Sequence, residues 1–344
     1  MRSASLAEGR VGLKHGAGSR AMRSLIRDVF VDGTPTVADE IGLAEMDDGA
    51  AIRLGDRWLV LTTDSHVVQP PFFPGGDIGR LAICGTVNDL AMMGATDIVG
   101  LTCGVILEEG FPLAELLEVR DSLRAACAEA GVRLLAGDTK VMGKGELDGI
   151  VLNTSGVALT DRVVPDSGLR PGDRVIVSGT IGDHGLAVLA RRNDLGLGEG
   201  LRSDVAPLND LVRLALEAGG SEVVALKDPT RGGVASALAE MATKSDVGVV
   251  LEEASLPVSE VVRSAAELLG IDPLHVANEG KALIGVGERV AEQVLAALRE
   301  HPLGRRAAII GRCVEEHRGQ LVLDTGFGRR LITELEGEPL PRIC

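Results

Sequence analysis

Acidic residues stand at the ends of apolar runs or beside glycine at five places. They are Asp47-Asp48-Gly49-Ala50, Thr63-Asp64, Asn88-Asp89, Gly137-Asp138, and Asp228 ahead of Arg231-Gly232-Gly233. Magnesium takes hard oxygen ligands and bridges one or two carboxylates to nucleotide phosphates, so converging aspartates could hold a metal–nucleotide complex. Any single Asp is more often a turn former or helix cap; five at such positions shift the balance towards a site. Two glycine loops precede helices, where exposed N–H groups and the helix dipole attract anions: His15-Gly16-Ala17-Gly18-Ser19 and Arg231-Gly232-Gly233. Neither is a P-loop, and each alone is an ordinary loop before a helix. Lys140, which follows Asp138, and Glu279, in Asn278-Glu279-Gly280-Lys281, could balance charge or move a proton. Spacing alone favours a surface role for Lys140, and a loop-stabilising role for His184 in Gly182-Asp183-His184-Gly185.

The remaining reactive group is the thiol of Cys344, the last residue of Pro339-Leu340-Pro341-Arg342-Ile343-Cys344. Alternating prolines favour an extended polyproline II path rising ~3 Å per residue. From Gly337 such a tail reaches roughly 20–25 Å, enough to enter a distant cleft. The ordinary alternative is a disordered end with an incidental thiol. The other cysteines, Cys84, Cys103, Cys127 and Cys313, form no CxxC pair. An odd, widely spaced set indicates free thiols in a reducing cytoplasm, with the internal four in the core.

These groups need a scaffold. The 344 residues suffice for two domains. The chain is 45% hydrophobic and 25% charged, the balance of a globular protein. A net charge of -15, aromatics at 2% and no Tyr argue against nucleic-acid binding. An acidic chain that binds polyphosphate requires divalent metal to bridge like charges. No signal peptide, long apolar span or lipidation box is visible, so neither membrane nor secretion is expected. The pattern predicts strands at Ala50–Leu54, Trp58–Asp64, Asp97–Ile106, Val132–Ala136 and Ile150–Leu159. It predicts helices at Ile78–Met93, with Asp77 as N-cap, and at Pro112–Ala130. A polar stretch between Pro165 and Pro171 marks a boundary, beyond which strands and helices alternate to about Asp324. The expected division is a Gly-rich segment 1–40, an ATP-binding domain 41–160, a second domain 161–330 and a mobile tail 331–344, in the α+β or α/β class.

Taken together the motifs resemble those of the HypE family of hydrogenase maturation factors, the carbamoyl dehydratases of the AIR-synthetase-related (PurM-like) ATP-binding superfamily. The resemblance rests on HGAGS, DDGAA, TTDSHVV, PFFPGGDIGRLAICGTVNDLAMMGA, GDTKV, SGTIGDHG, DPTRGGV, ANEGK, HPLG and PLPRIC, which span nearly the whole chain. NDLA and TRGG occur across the superfamily; PFFPGGDIG with a terminal PRIC is far more specific. Ser19 departs from the second glycine common at that place in the family.

The resemblance implies a two-domain PurM-like fold, with N-terminal strands of two chains sharing a barrel in a homodimer. It implies that a carbamoyltransferase, HypF, loads Cys344, and that ATP activates the carbamoyl oxygen. Loss of phosphate then leaves a thiocyanate, and the cyanide passes to iron on a HypC–HypD complex. By the same resemblance Asp48, Asp64, Asp89, Asp138 and Asp228 bind Mg2+ and phosphate. Asn88, Arg231, Gly232 and Gly233 position the nucleotide, and Lys140 and Glu279 serve proton transfers. Within the superfamily the alternatives are a selenophosphate synthetase, expected to carry a reactive N-terminal Cys although the first here is Cys84, and a purine cyclo-ligase, which has no use for a terminal thiol. A non-catalytic nucleotide-binding scaffold is the alternative outside enzymes.

Overall fold

The computed structural model describes residues 10–16, 20–34, 37, 39–196, 200–333 and 343–344. Residues 17–19 of the first glycine loop, and the proline-spaced stretch 334–342, lie outside the described residues.

Among the described residues a 3-10 turn at Leu13–Gly16 is followed by a short helix α1 (Arg20–Ile26), then strands β1 (Ala50–Leu54) and β2 (Arg57–His66). A tight hairpin, β3 (Phe72–Phe73) and β4 (Gly76–Asp77), leads into α2 (Ile78–Met92). Asp77 caps that helix by accepting from the Gly79 and Arg80 amides. Next come β5 (Asp97–Glu108), α3 (Leu113–Ala130), β6 (Leu134–Met142) and β7 (Ile150–Thr160). The first half forms one five-stranded sheet in the order β1-β2-β7-β5-β6, antiparallel except for the β5/β6 pair. Alternate residues of β7 are buried, the period of a strand with one covered face. Helix α2 is buried on nearly every side, against this sheet and against the second half.

The second half holds β8 (Arg174–Val177), α4 (Asp183–Arg192), α5 (Asn209–Gly219), β9 (Val223–Lys227), α6 (Gly233–Ser245), β10 (Gly248–Glu252) and α7 (Glu260–Leu269). It ends with β11 (Leu283–Val286), α8 (Ala291–Glu300), β12 (Ala308–Val314), β13 (Leu321–Asp324) and β14 (Arg329–Ile332). Its seven strands lie in the order β14-β13-β10-β12-β8-β11-β9. One apolar core packs α6 against this sheet, and another packs α5 and α8 on it together with Ala91 and Met92 of α2. The four internal cysteines are buried as expected.

One strand differs from the sequence reading. The run expected to end at Ala136 continues as β6 to Met142, so Gly137-Asp138-Thr139-Lys140 is mid-strand. Pairing with β5 from Leu101 to Glu108 supplies the hydrogen bonds that carry it on. All nine of its residues are exposed at the sheet edge. Among the described residues, no helix is long and apolar enough to cross a membrane.

Candidate active site

Where the first sheet meets β9 and α6 there is a cavity of about 560 Å3, within the range of nucleotide-sized pockets. Asp48 enters it just ahead of β1, Asp64 from β2, Asp89 from α2 and Asp228 from the end of β9. Glu279, Arg231 and Cys344 line it too. Four of the five expected aspartates therefore converge with Glu279 and the thiol.

Burial dominates the electrostatics. Asp89 and Asp228 are held well above the usual carboxylate range first by loss of water, then Asp89 by the charges of Asp64, Asp228 and Asp48, and Asp228 by those of Asp48 and Asp64 against the pull of Lys227. Burial also raises Asp48, against the pull of Lys227. Glu279 is raised well above 4.5 by burial, then by Asp228, Asp64 and Asp204, with Arg231 opposing. Asp47, beside them, is pushed up to about 7 by burial, Asp166 and Asp48. Such a cluster carries more carboxylate than it can ionise without added positive charge. Asp48 Oδ2 and Glu279 Oε1 are buried and accept no hydrogen bond among the described residues. Unpartnered buried acceptors of this kind fit a cation arriving with a polyphosphate. Among the described residues no three His, Cys, Asp or Glu side chains form a ready metal cage.

The sequence reading missed a buried cation of the cavity, Lys227. Lys227 Nζ lies 2.7 Å from Asp48 Oδ1 and 3.1 Å from Asp166 Oδ2, and Lys244 also reaches Asp166, at 2.7 Å. Burial works against the charge on Lys227, but Asp48, Glu240, Asp166 and Asp47 outweigh it and hold the lysine protonated. A charged residue ending the otherwise apolar run Val223–Lys227 was the available signal.

Five expected site residues fall elsewhere. Asp138 and Lys140 pair with each other at 3.1 Å on exposed β6, outside this chain's cavity. Asn88 is buried and fully used: its Nδ2 donates to the Ala206 and Glu279 carbonyls and its Oδ1 accepts from the Leu208 amide. It staples the two halves and sets the Glu279 backbone. Gly232 and Gly233 do not line the cavity, and the Gly233 amide is spent on the Thr230 carbonyl at 2.9 Å. Gly233 is required by packing: at φ +62, a Cβ there would stand 2.6 Å from the Leu274 and Val276 carbonyl oxygens.

Comparison with known proteins agrees with this architecture. Residues 46–160 match the family model described as AIR synthase related protein, N-terminal domain, and residues 170–324 match the C-terminal domain. The carbamoyl dehydratase HypE of Cupriavidus necator is 46% identical over 350 residues, covering 100% of this chain and 97% of its own. The chain belongs to the HypE carbamoyl dehydratase family. Two solved HypE structures show the same PurM-like two-domain fold. A HypE–HypF complex superposes with a TM-score of 0.84 at 43% identity, over 91% of this chain and 100% of that one. HypE in complex with ATP gives a TM-score of 0.80 at 42% identity, over 97% and 100%. As in the expectation drawn from its motifs, the chain is a HypE-type enzyme, and its acidic cavity is the nucleotide-binding candidate within that fold.

Proposed function

We propose that this chain uses ATP to dehydrate an S-carbamoyl group carried on Cys344 to a thiocyanate, supplying cyanide for the iron of a [NiFe]-hydrogenase. The observation that carries this reading is that Cys344 lines the same cavity as Asp48, Asp64, Asp89, Asp228 and Glu279. The thiol is thus within reach of a nucleotide that those carboxylates would hold through Mg2+. When bound, the ion offsets the charge on the phosphates and on the carboxylates around them.

The carbamoyl oxygen attacks the γ-phosphorus and ADP departs. The resulting phosphate ester turns a poor leaving group into a good one. Loss of both N–H protons and of phosphate completes the balance: S–C(=O)–NH2 and ATP become S–C≡N, ADP and phosphate. Glu279 suits the role of proton acceptor, since a buried carboxyl with a raised pKa is a strong base once ionised. Arg231 and the cavity's backbone position the phosphates, because in-line transfer depends mainly on placement and charge neutralisation.

HypF is the source of the carbamoyl group in this reading, and a HypC–HypD complex takes the cyanide, all in the cytoplasm. A homodimer is part of it. The exposed edge strand β6 carries Leu134, Leu135, Val141 and Met142, and Val99 of β5 and Val157 of β7 are exposed on the same sheet. An open edge strand bearing exposed apolar side chains favours pairing with a second copy. Such a dimer would give Asp138 and Lys140 a nucleotide to act on in the other subunit. Protein carbamoylated on Cys344 and supplied with Mg2+ and ATP should lose the mass of one water at its Cys344 peptide and release ADP in step. A nucleotide-binding scaffold would release none, and Cys344→Ala releasing ADP as fast as loaded protein would refute the self-substrate reading.

A further inference from the structure

His184, on the first turn of α4, is completely buried. Its Nε2 lies 2.6 Å from the Ile343 carbonyl oxygen and its Nδ1 lies 2.8 Å from Ser203 Oγ. A carbonyl can only accept, so Nε2 carries the proton, and the Ser203 hydroxyl donates to Nδ1. Ser203 Oγ accepts in turn from the Val205 amide at 3.1 Å. Burial keeps the ring neutral, against the opposing effects of Asp204 and the Ile343 bond, so one tautomer serves throughout. Phe73 meets the ring edge-on, with centroids 5.4 Å apart at 90°. The Ile343 side chain is itself buried in the core that contains Phe73 and Leu186.

The most specific sequence motif, PFFPGG, is accounted for by the same contacts. The Ser203 amide donates to the Pro74 carbonyl at 2.7 Å. Gly75, at φ +98, lies so close that a Cβ would stand 2.6 Å from the Ser203 carbonyl oxygen. A side chain there would push Ser203 away from His184.

We propose that His184, oriented by Ser203 and Phe73, is the docking post for the residues that carry the reacting thiol. It grips the carbonyl of Ile343, one peptide bond before Cys344, and so fixes where the sulfur stands in the cavity. His184 is a positioning residue, because its two ring nitrogens are engaged by the Ile343 carbonyl and Ser203 Oγ and it acts on the thiol through the backbone. The inference rests on Cys344 being the carrier, and a near-attack geometry at that thiol is what the grip supplies.

Two measurements test it. One is the alkylation rate of Cys344 by iodoacetamide in the full-length protein without nucleotide, mapped by mass. The other is the single-turnover dehydration rate of the carbamoylated protein. His184→Met keeps bulk and removes the donor. It should speed alkylation roughly tenfold and slow dehydration roughly ten- to hundred-fold, with ATP affinity unchanged. His184→Gln, whose amide can occupy the place of Nε2, should recover most of both. Folded His184→Met with wild-type rates in both assays would overturn the proposal. If His184→Met does not fold, Ser203→Ala and Ile343→Gly decide, and wild-type alkylation in both overturns it. If alkylation responds as expected while the wild type never dehydrates its carbamoyl group, the docking stands and the function proposed above fails.

Discussion

Lys227 Nζ stands 2.7 Å from Asp48 Oδ1, so the acidic cavity contains a buried counter-ion of its own. Asp166 and Glu240 share that charge, at 3.1 and 3.9 Å. Removing one member of a buried ion network leaves the others uncompensated, which typically costs roughly 3–5 kcal/mol. Lys227→Met should lose stability on that scale in urea denaturation, and millimolar Mg2+ should restore part of it by supplying the missing charge. An unchanged midpoint would show that the lysine is dispensable to the acidic cluster.

Glu279 is the base candidate with a buried, unpartnered oxygen. Glu279→Gln is close to isosteric and cannot accept the proton. It should slow conversion of the carbamoylated protein by roughly 10²–10⁴-fold. Mg2+·ATP affinity should change little, because the variant retains Asp48, Asp64, Asp89 and Asp228. Equal conversion rates in variant and wild type would remove Glu279 from the chemistry.

The raised carboxyls give the protein without nucleotide a characteristic pH dependence. Asp47 ionises near pH 7 when folded and near 3.8 when free. Between those values the native chain holds a proton that the unfolded chain has lost, so stability falls as pH rises. Asp89, Asp228 and Glu279 act in the same direction. His66, His184 and His275 are lowered by burial, so they cost stability only on the acid side of about 6.5. From about pH 6.5 to 8 the acids act alone. Urea midpoints should therefore decline across that window, and saturating Mg2+·ATP should flatten the decline. A rising midpoint there would contradict the raised carboxyls.

The exposed edge strand β6 gives a separate test. Leu135 and Val141 are 56% and 66% exposed on that edge strand. Leu135→Glu with Val141→Glu should yield a monomer by sedimentation, with the near-UV spectrum of the fold retained. If Lys140 acts across the interface, that monomer should bind ATP yet fail to dehydrate. A wild type that is already monomeric at micromolar concentration would remove the dimer from the reading.

Much of this protein was determined by sequence alone, because the signals are local. The run Ile150–Leu159 was expected as a strand and forms β7, and Asp77 announced the start of α2 at the residue where its carboxylate caps the helix. Aspartates at strand and helix ends, together with a Cys after alternating prolines, pointed to a metal–nucleotide site and a carried group. The tertiary structure alone decided which of those residues meet. Asp64 on β2 is registered with Thr154, Thr154 with Cys103, and Cys103 with Gly137, the neighbour of Asp138. That row places Asp138 three strand spacings from Asp64, roughly 14 Å. Strand order, which depends on where each crossover returns, cannot be read from the residues at the strand's own end. Lys227 and His184 were illegible for a related reason. Neither has its partner among its sequence neighbours, and the meaning of each comes from a residue more than a hundred positions away: Asp48 for the lysine, Ile343 for the histidine.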